Sequence, residues 1–182
     1  MVEIPMDVAI EDVDPSVLDA YRPVKTSVAG ASPQDVVEAA KALLGATDPI
    51  IHVGEGVSYA EANAELVELA ELLQVPVMTT MGGKSAFPEG HPLALGASAV
   101  VMSGPVHHFL SKADVVMAVG TSLTRHGMVT TIPEGKVLIH ATNDPVDIGK
   151  SYHVDHPIIG DARLFLRQFI DACKDLLGGK AR

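Results

Sequence analysis

Three glycine-bearing turns and two histidine pairs are the residues of this sequence whose types and spacing could do chemistry. Gly54-Glu55-Gly56 follows the apolar run Ile50-Ile51-His52-Val53 and precedes a helical pattern, a place where nucleotide phosphates are often held. A dinucleotide fingerprint needs a third glycine for close helix–strand packing, and Tyr59 stands there. It also needs an acid at the end of the next strand, which reads Met78-Thr79-Thr80-Met81. Glu55 sets a carboxylate beside any phosphate. The turn therefore reads either as the tight junction that a strand-to-helix connection requires or as an anion site at a helix start. Gly82-Gly83-Lys84-Ser85 matches the end of a P-loop, but Met78 replaces the first glycine, so the phosphate cradle cannot form. Gly120-Thr121-Ser122-Leu123-Thr124 has the serine of a hydrolase elbow, with Thr124 where the helix–strand crossing wants glycine. Neither His107-His108 nor His153-x-x-His156 places two carboxylates or further ligands beside itself, and these histidines are expected on the surface or in loops. No catalytic residue and no metal ligand is assigned on these patterns.

Composition narrows the classes. Apolar residues make up 47% of the 182 and charged residues 20%, the profile of a folded α/β protein. The formal net charge of -10 repels a bare nucleic-acid backbone and an anionic membrane, and no basic cluster overturns that average. The sequence holds no apolar run of the length that spans a bilayer, about eighteen residues, and no basic-then-apolar leader is read at its start. Its one cysteine, Cys173, excludes an internal disulfide and a cysteine-rich zinc site. That thiol falls on the apolar stripe of the last helix, reads as packed, and fits a cytoplasmic setting. With no Trp and 4% aromatics, a stacking surface for single-stranded bases or sugars is not expected.

The elements that must position the turns follow from periodicity. Val2, Ile4 and Met6 alternate with Glu3 and Pro5, which predicts a short edge strand, and residues 9–31 read as an extended connector. A lone strand followed by such a linker is a rare domain start, so the chain is expected to have been cut from something longer. Ser32-Pro33-Gln34-Asp35 predicts a helix start with a hydroxyl N-cap, and Gly45 an end. Strands are predicted at Pro49–Val53, Val75–Thr80, Asp114–Val119, Lys136–His140 and His156–Gly160. A helix is predicted from about Tyr59 to Leu73, and a short one near Val106–Ser111 after loop residues that fill most of 81–104. A long amphipathic helix capped by Asp161 carries Leu166, Phe169, Ile170, Cys173, Leu176 and Leu177 on its stripe. Apolar strands alternating with helices predict an α/β fold, a parallel sheet of five to six strands covered on both faces. Its ligands are expected beyond the carboxyl ends of the strands.

Read together, the phrases VEIPMDV, DPIIHVGEGV, ELAELLQVPVMTTMGGKSAFPEGHPLALG, SKADVVMAVGTSLT, HATNDPVDIGKSY and IIGDARLFLRQF resemble thiamine-diphosphate-dependent enzymes of the acetolactate synthase type. This group includes 2-oxoacid decarboxylases and carboligases. The order and spacing from about residue 33 to 177 are similar to the family's central domain; no single phrase is specific, but the ordered set is. The resemblance implies a Rossmann-like fold of the DHS-like NAD/FAD-binding type. It also implies that residues 1–31 are the tail of a preceding pyrimidine-binding domain plus linker, and that 32–182 are the central domain.

The same resemblance implies partners: the N- and C-terminal domains of a parent enzyme, which hold thiamine diphosphate, its magnesium ion and the activating glutamate, in a full-length homo-oligomer. The central domain alone is then expected to have a structural and interface role without activity. In some members this domain holds FAD or ADP, and carried over by position, Gly54, Gly56, Thr80, Gly96, Gly120 and Asp144 fall at the nucleotide-contact sites. Two departures count against firm binding. Ser122 stands where flavin-binding members have Arg, and Thr142-Asn143-Asp144-Pro145 keeps only the second acid of an Asp-x-Asp-Pro phrase. Losing one charged contact to a phosphate forfeits about 1.5–3 kcal/mol. The phrase ADVVMAVGTSL is also similar to the NAD-binding domain of sirtuins, whose zinc cysteines and Gly-Ala-Gly-x-Ser loop are absent here.

Overall fold

The computed structural model describes residues 2–99, 101–125 and 127–179. Six parallel strands form one sheet: β1 (Pro49–Val53), β2 (Val77–Thr80), β3 (Ala94–Ser98), β4 (Val115–Val119), β5 (Val137–Thr142) and β6 (His156–Ile159), in spatial order β3-β2-β1-β4-β5-β6. The helices are α1 (Met6–Ala9), α2 (Pro33–Gly45), α3 (Gly56–Tyr59), α4 (Asn63–Leu73), α5 (Gly104–Lys112) and α6 (Ala162–Leu177). β1 and β4 are buried at every position, because their runs carry no solvent-facing side and suit only the centre of a two-sided sheet. None of the described helices is long and apolar enough to cross a membrane.

The two faces differ in their cover. α2, α4 and α6 cover one, where Leu43, Leu66, Phe165 and Phe169 meet Ile51, Val53 and Met117. On α6, Asp161 accepts from the N–H groups of Arg163 and Leu164 at 3.0 Å, and Gly178 ends the helix in a left-handed conformation (φ 57). The rim of this layer is an ionic clamp. Glu65 on α4 accepts from Arg163 (3.1 Å) and Arg167 (3.2 Å), and Glu68 from Arg167 and Lys174, both at 2.7 Å. On the other face α5 contributes Val106 and Leu110 against Ile50, Met78 and Val116, and Leu123 and Ile132, with Tyr152 and Val154 at the margin, add to the cover.

Four sequence expectations need correction. Residues 2–8 form no strand: Ala9 N–H donates to the Pro5 carbonyl at 2.9 Å, closing the turn of α1, because no neighbouring strand edge meets this segment to satisfy an extended backbone. Met1 lies outside the described residues. The helix expected over 59–73 is broken by Glu61 (φ 53), and Asn63 at the start of α4 donates to the carbonyls of Ser85 and Ala86. β3 lies inside the stretch expected to be loop; Ala94-Leu95-Gly96-Ala97-Ser98 has little strand propensity of its own, and pairing with β2 imposes the conformation. Ser32 occupies the N-cap of α2 without a capping side-chain bond. The folded body takes hold of the N-terminal segment near Ala29 and Ala31: Asp161 N–H donates to the Ala29 carbonyl, and Gln168 brackets Ala31 at 2.9 and 3.1 Å.

The turns after β1 and β4 meet backbone to backbone. Gly54 N–H donates to Val119 and Gly56 N–H to Gly120, both at 2.9 Å, and Gly120 N–H donates to Ala141 at 3.0 Å. A Cβ on Gly54 would overlap the Gly120 carbonyl oxygen, and one on Gly56 would lie 2.8 Å from Gly120 Cα. Gly120 is left-handed (φ 61), and its own Cβ would lie 2.6 Å from Val57 N. Gly120→Ala, adding strain to overlap, is expected to cost about 3 kcal/mol or more. Gly45→Ala, in helical backbone with nothing within 4 Å of its Cβ, is expected to be neutral or stabilising by up to about 1 kcal/mol. Denaturant midpoints of the two variants measure the contrast.

Candidate functional site

The strand order reverses between β1 and β4, and at their carboxyl ends lies a cleft of ≈ 340 Å³. Register across the sheet explains its floor. Met78, His52, Ala118 and His140 stand in line on β2, β1, β4 and β5, and therefore on one face. One step beyond, Thr80 is paired with Ser98, and the chain turns at Gly54 and Gly120. The left-handed Gly120 sends the following segment back across this face as a roof. Leu123, also left-handed (φ 46), holds that conformation with its side chain buried. Thr130 donates to the Ala99 carbonyl at 2.9 Å, so the Ser98 hydroxyl donates to Thr130 in their short buried contact. Ile132 N–H donates to the Tyr152 hydroxyl at 3.3 Å.

Two imidazoles lie at this level of the sheet. His140 is fully buried and bonds the Thr121 carbonyl through Nε2 at 2.8 Å. The acceptor being a carbonyl, the proton sits on Nε2, and the partnerless Nδ1 is the bare nitrogen. Burial holds its pKa below the ordinary range, against the pull of the Thr121 bond and of Asp147. His52, 5% exposed, lines the cleft, and its Nδ1 is sealed without a partner. Burial, reinforced by His140, pushes its pKa down to about 4. Both rings are therefore neutral near pH 7. Of the histidines in the two sequence pairs, His107, His108 and His153 are exposed and His156 is half-buried. The buried pair, His52 and His140, is not among them, although its signal is legible: a histidine in each of two apolar strands, Ile51-His52-Val53 and Ile139-His140-Ala141.

The residues expected to contact a nucleotide divide into three groups. Gly54, Thr80 and Gly120 line the cleft. Gly56 lies behind it, packed on Gly120. Gly96 (φ 90) sits where the β2–β3 register shifts, and Asp144 caps the turn Pro145–Asp147 by accepting from Val146 N–H at 2.9 Å; neither lines the cleft. Thr80 Oγ1 accepts from Gly83 N–H at 2.9 Å.

The electrostatics are unlike those of a phosphate site. The amides of Gly54, Gly56 and Gly120 all donate to carbonyls of the fold. Among the described residues that line the cleft, the single charged side chain is the Glu55 carboxylate, which lies over Gly82. The remaining polar side chains there are hydroxyls and the His52 imidazole. Among the described residues, no group of three or more His, Cys, Asp or Glu could hold a metal ion. A diphosphate with a divalent cation does not fit these groups.

Comparison with known proteins agrees with this architecture. Residues 36–169 match the family described as the thiamine pyrophosphate enzyme central domain. The probable acetolactate synthase large subunit of Methanocaldococcus jannaschii is 35% identical over 181 residues, covering 94% of this chain and 30% of that protein. That of Methanococcus aeolicus is 39% identical over 140 residues, covering 76% and 23%. Benzoylformate decarboxylase from Polynucleobacter necessarius superposes with a TM-score of 0.70 at 25% identity, covering 90% of this chain and 30% of its own. The chain thus spans less than a third of each of these relatives.

The two imidazoles make stability depend on pH. With its pKa lowered from 6.5 to about 4, the folded protein binds fewer protons at His52 than the unfolded chain between those values. Stability is complete above about 6.5, falls as pH drops through that window, and levels off below about 4. The loss from His52 is about 3 kcal/mol, and His140 adds to it in the same direction. Urea titrations from pH 7 to 4.5 are expected to show this slope, and His52→Gln to flatten it.

Proposed function

The chain belongs to the central-domain family of thiamine pyrophosphate enzymes, and we propose that it is the structural and interface domain of an acetolactate synthase-like 2-oxoacid decarboxylase or carboligase. One observation carries the interface role. Every large apolar side chain from Val2 to Val28 is at least half exposed, and none packs on the sheet. A segment so rich in Val, Ile and Leu lowers its free energy by lying against another surface, at about 25 cal/mol for each Å² of apolar area covered. In this reading that surface is the preceding pyrimidine-binding domain. A third domain follows, the full-length enzyme is a cytoplasmic homo-oligomer, and residues 32–182 form the central domain.

Thiamine diphosphate bound by the whole enzyme would supply a thiazolium ring able to act as an electron sink for 2-oxoacid chemistry. The cation-poor cleft, with Glu55 at its edge, is not built to hold that diphosphate or its magnesium ion, which this reading assigns to the neighbouring domains. What this chain's own residues do is different. The glycine junction holds β1 and β4 in fixed relation, the α4–α6 clamp stiffens one face, and the apolar N-terminal segment offers a docking surface.

A second reading is favoured by the position of the cleft at the point where strand order reverses, with Gly54, Thr80 and Gly120 around it: a module that takes FAD or ADP. Ser122 lines the same cleft and supplies a hydroxyl where a charged contact would strengthen such binding.

The purified 182-residue chain is expected to show no 2-oxoacid decarboxylation or carboligation with thiamine diphosphate and Mg²⁺ present; turnover above the cofactor-only rate counts against the structural reading. Deleting residues 1–27 is expected to leave the melting temperature within about 2 °C, since every described residue among them is exposed. A larger fall would mean that the segment belongs to the folded body.

A further inference from the structure

We propose that the bare face of β6, at the edge of the sheet, is a docking surface for the preceding domain, which meets it with an apolar patch rimmed by basic side chains and covers the N-terminal segment at the same time. The inference rests on the reading above, that the segment lies against a preceding domain, and brings a second part of the body under the same cover.

The surface comes from a gap in the cover of the sheet. On β6, Ile158 packs into the core beneath α2, α4 and α6, so Pro157 and Ile159 alternate onto the opposite face, in register with His140 and Thr142 of β5. His140 and Thr142 are buried there, yet Pro157 is exposed and Ile159 is 43% exposed. The reason is reach. α5 packs on β3, at the far edge of the sheet, and the buried cluster it shares with Leu123 and Ile132 takes in Leu138 of β5 but, among the described residues, none of β6. Val146, in the turn after β5, is 72% exposed. Parallel sheets are normally covered on both faces, and an apolar strand face left to water lowers its free energy when another surface covers it.

The occupant follows from where the chain enters and from charge. Asp161 N–H donates to the Ala29 carbonyl, and a Cβ on Gly160 would lie 2.9 Å from Ala31 N, so the N-terminal segment leaves the body at the carboxyl end of this same strand. Val28 adjoins Ala29 and is 66% exposed, so a surface lying on it is already beside Ile159. Charge then separates a foreign surface from a second copy. The carboxylates of the segment, from Glu3 to Asp19, are met there only by Arg22 and Lys25. Asp155 precedes β6, Asp161 follows it, and Asp144 accepts from the N–H of Val146. A second copy, with a formal net charge of -10, would set like charge against these groups. A partner with lysines or arginines around an apolar centre meets both needs, the apolar core and polar rim of an ordinary interface.

Hydroxyl-radical footprinting of the 182-residue chain and of the full-length parent enzyme, read by mass spectrometry, tests the proposal. Ile159 and Val146 are expected to be labelled in the 182-residue chain and protected at least about threefold in the parent, together with Val24 and Val28. In the parent, the thiol introduced by Ile159→Cys is expected to be joined by a thiol-to-amine cross-linker to a lysine of the preceding domain. Ile159→Lys is expected to raise the labelling of Val28 in the parent more than Ile159→Asp does, because it sets a cation against cations. Both substitutions are expected to leave the melting temperature of the 182-residue chain within about 3 °C, which separates a lost interface from a lost fold. Protection of Val24 and Val28 with Ile159 still labelled overturns the inference and leaves the docking of the segment standing. If neither is protected, both fall. Cross-links confined to the domain that follows, or protection of Ile159 in the 182-residue chain as its concentration rises, give the face to another occupant and overturn the proposal. Equal effects of Ile159→Lys and Ile159→Asp overturn the basic rim.

Discussion

The contact between the turn after β1 and the turn after β4 is the constraint on which this structure depends. Parallel strands leave their carboxyl ends side by side, and here the two chains touch with no side chain between them. Gly54 and Gly56 permit the approach, and Gly120 permits the left-handed exit that follows. Beyond that exit, Leu123 and Ile132 pack on the sheet face that α5 leaves partly uncovered, and Thr130 bonds Ser98 at the end of the edge strand and Ala99 just after it. The cleft is the space left between this roof and the sheet.

The same contact commits three of the glycine-turn amides to the fold. A glycine-rich turn binds anions when its amides point outward and unpaired. In this chain those of Gly54, Gly56 and Gly120 join β1 to β4 and β4 to β5. Rigidity of the sheet end and an open anion nest compete for the same donors, and rigidity has taken them. Of the neutral pair His52 and His140, one ring bonds the Thr121 carbonyl that follows Gly120, and the other lines the cavity with its Nδ1 sealed beneath it.

Much of this was legible in the residues. β1, β4 and β5 are short apolar runs with turn signals behind them, and α6 carries both its cap, Asp161, and its stripe. Their order alone points to a parallel α/β sheet. β3 was not legible, because Ala94-Leu95-Gly96-Ala97-Ser98 has neither apolar alternation nor β-branched side chains; only β2 makes it a strand. Nor was the break at Glu61, since its stretch keeps helical spacing on both sides while Asn63 is drawn to the carbonyls of Ser85 and Ala86. At the site, the glycine turns announced the place but not the use of their amides, because hydrogen bonds to Val119, Gly120 and Ala141, all distant in sequence, leave no local pattern. His52 and His140 were visible only as polar residues in apolar strands, and their shared face required the register.

Amide hydrogen exchange at Gly54, Gly56 and Gly120, resolved by NMR, tests most directly whether the turn amides are committed to the fold. The account predicts that all three exchange only through global unfolding, as slowly as the amides of β1 and β4, and that ADP leaves their rates unchanged. Fast exchange at these glycines, or new protection on adding ADP, would show amides free to hold a phosphate and would contradict it.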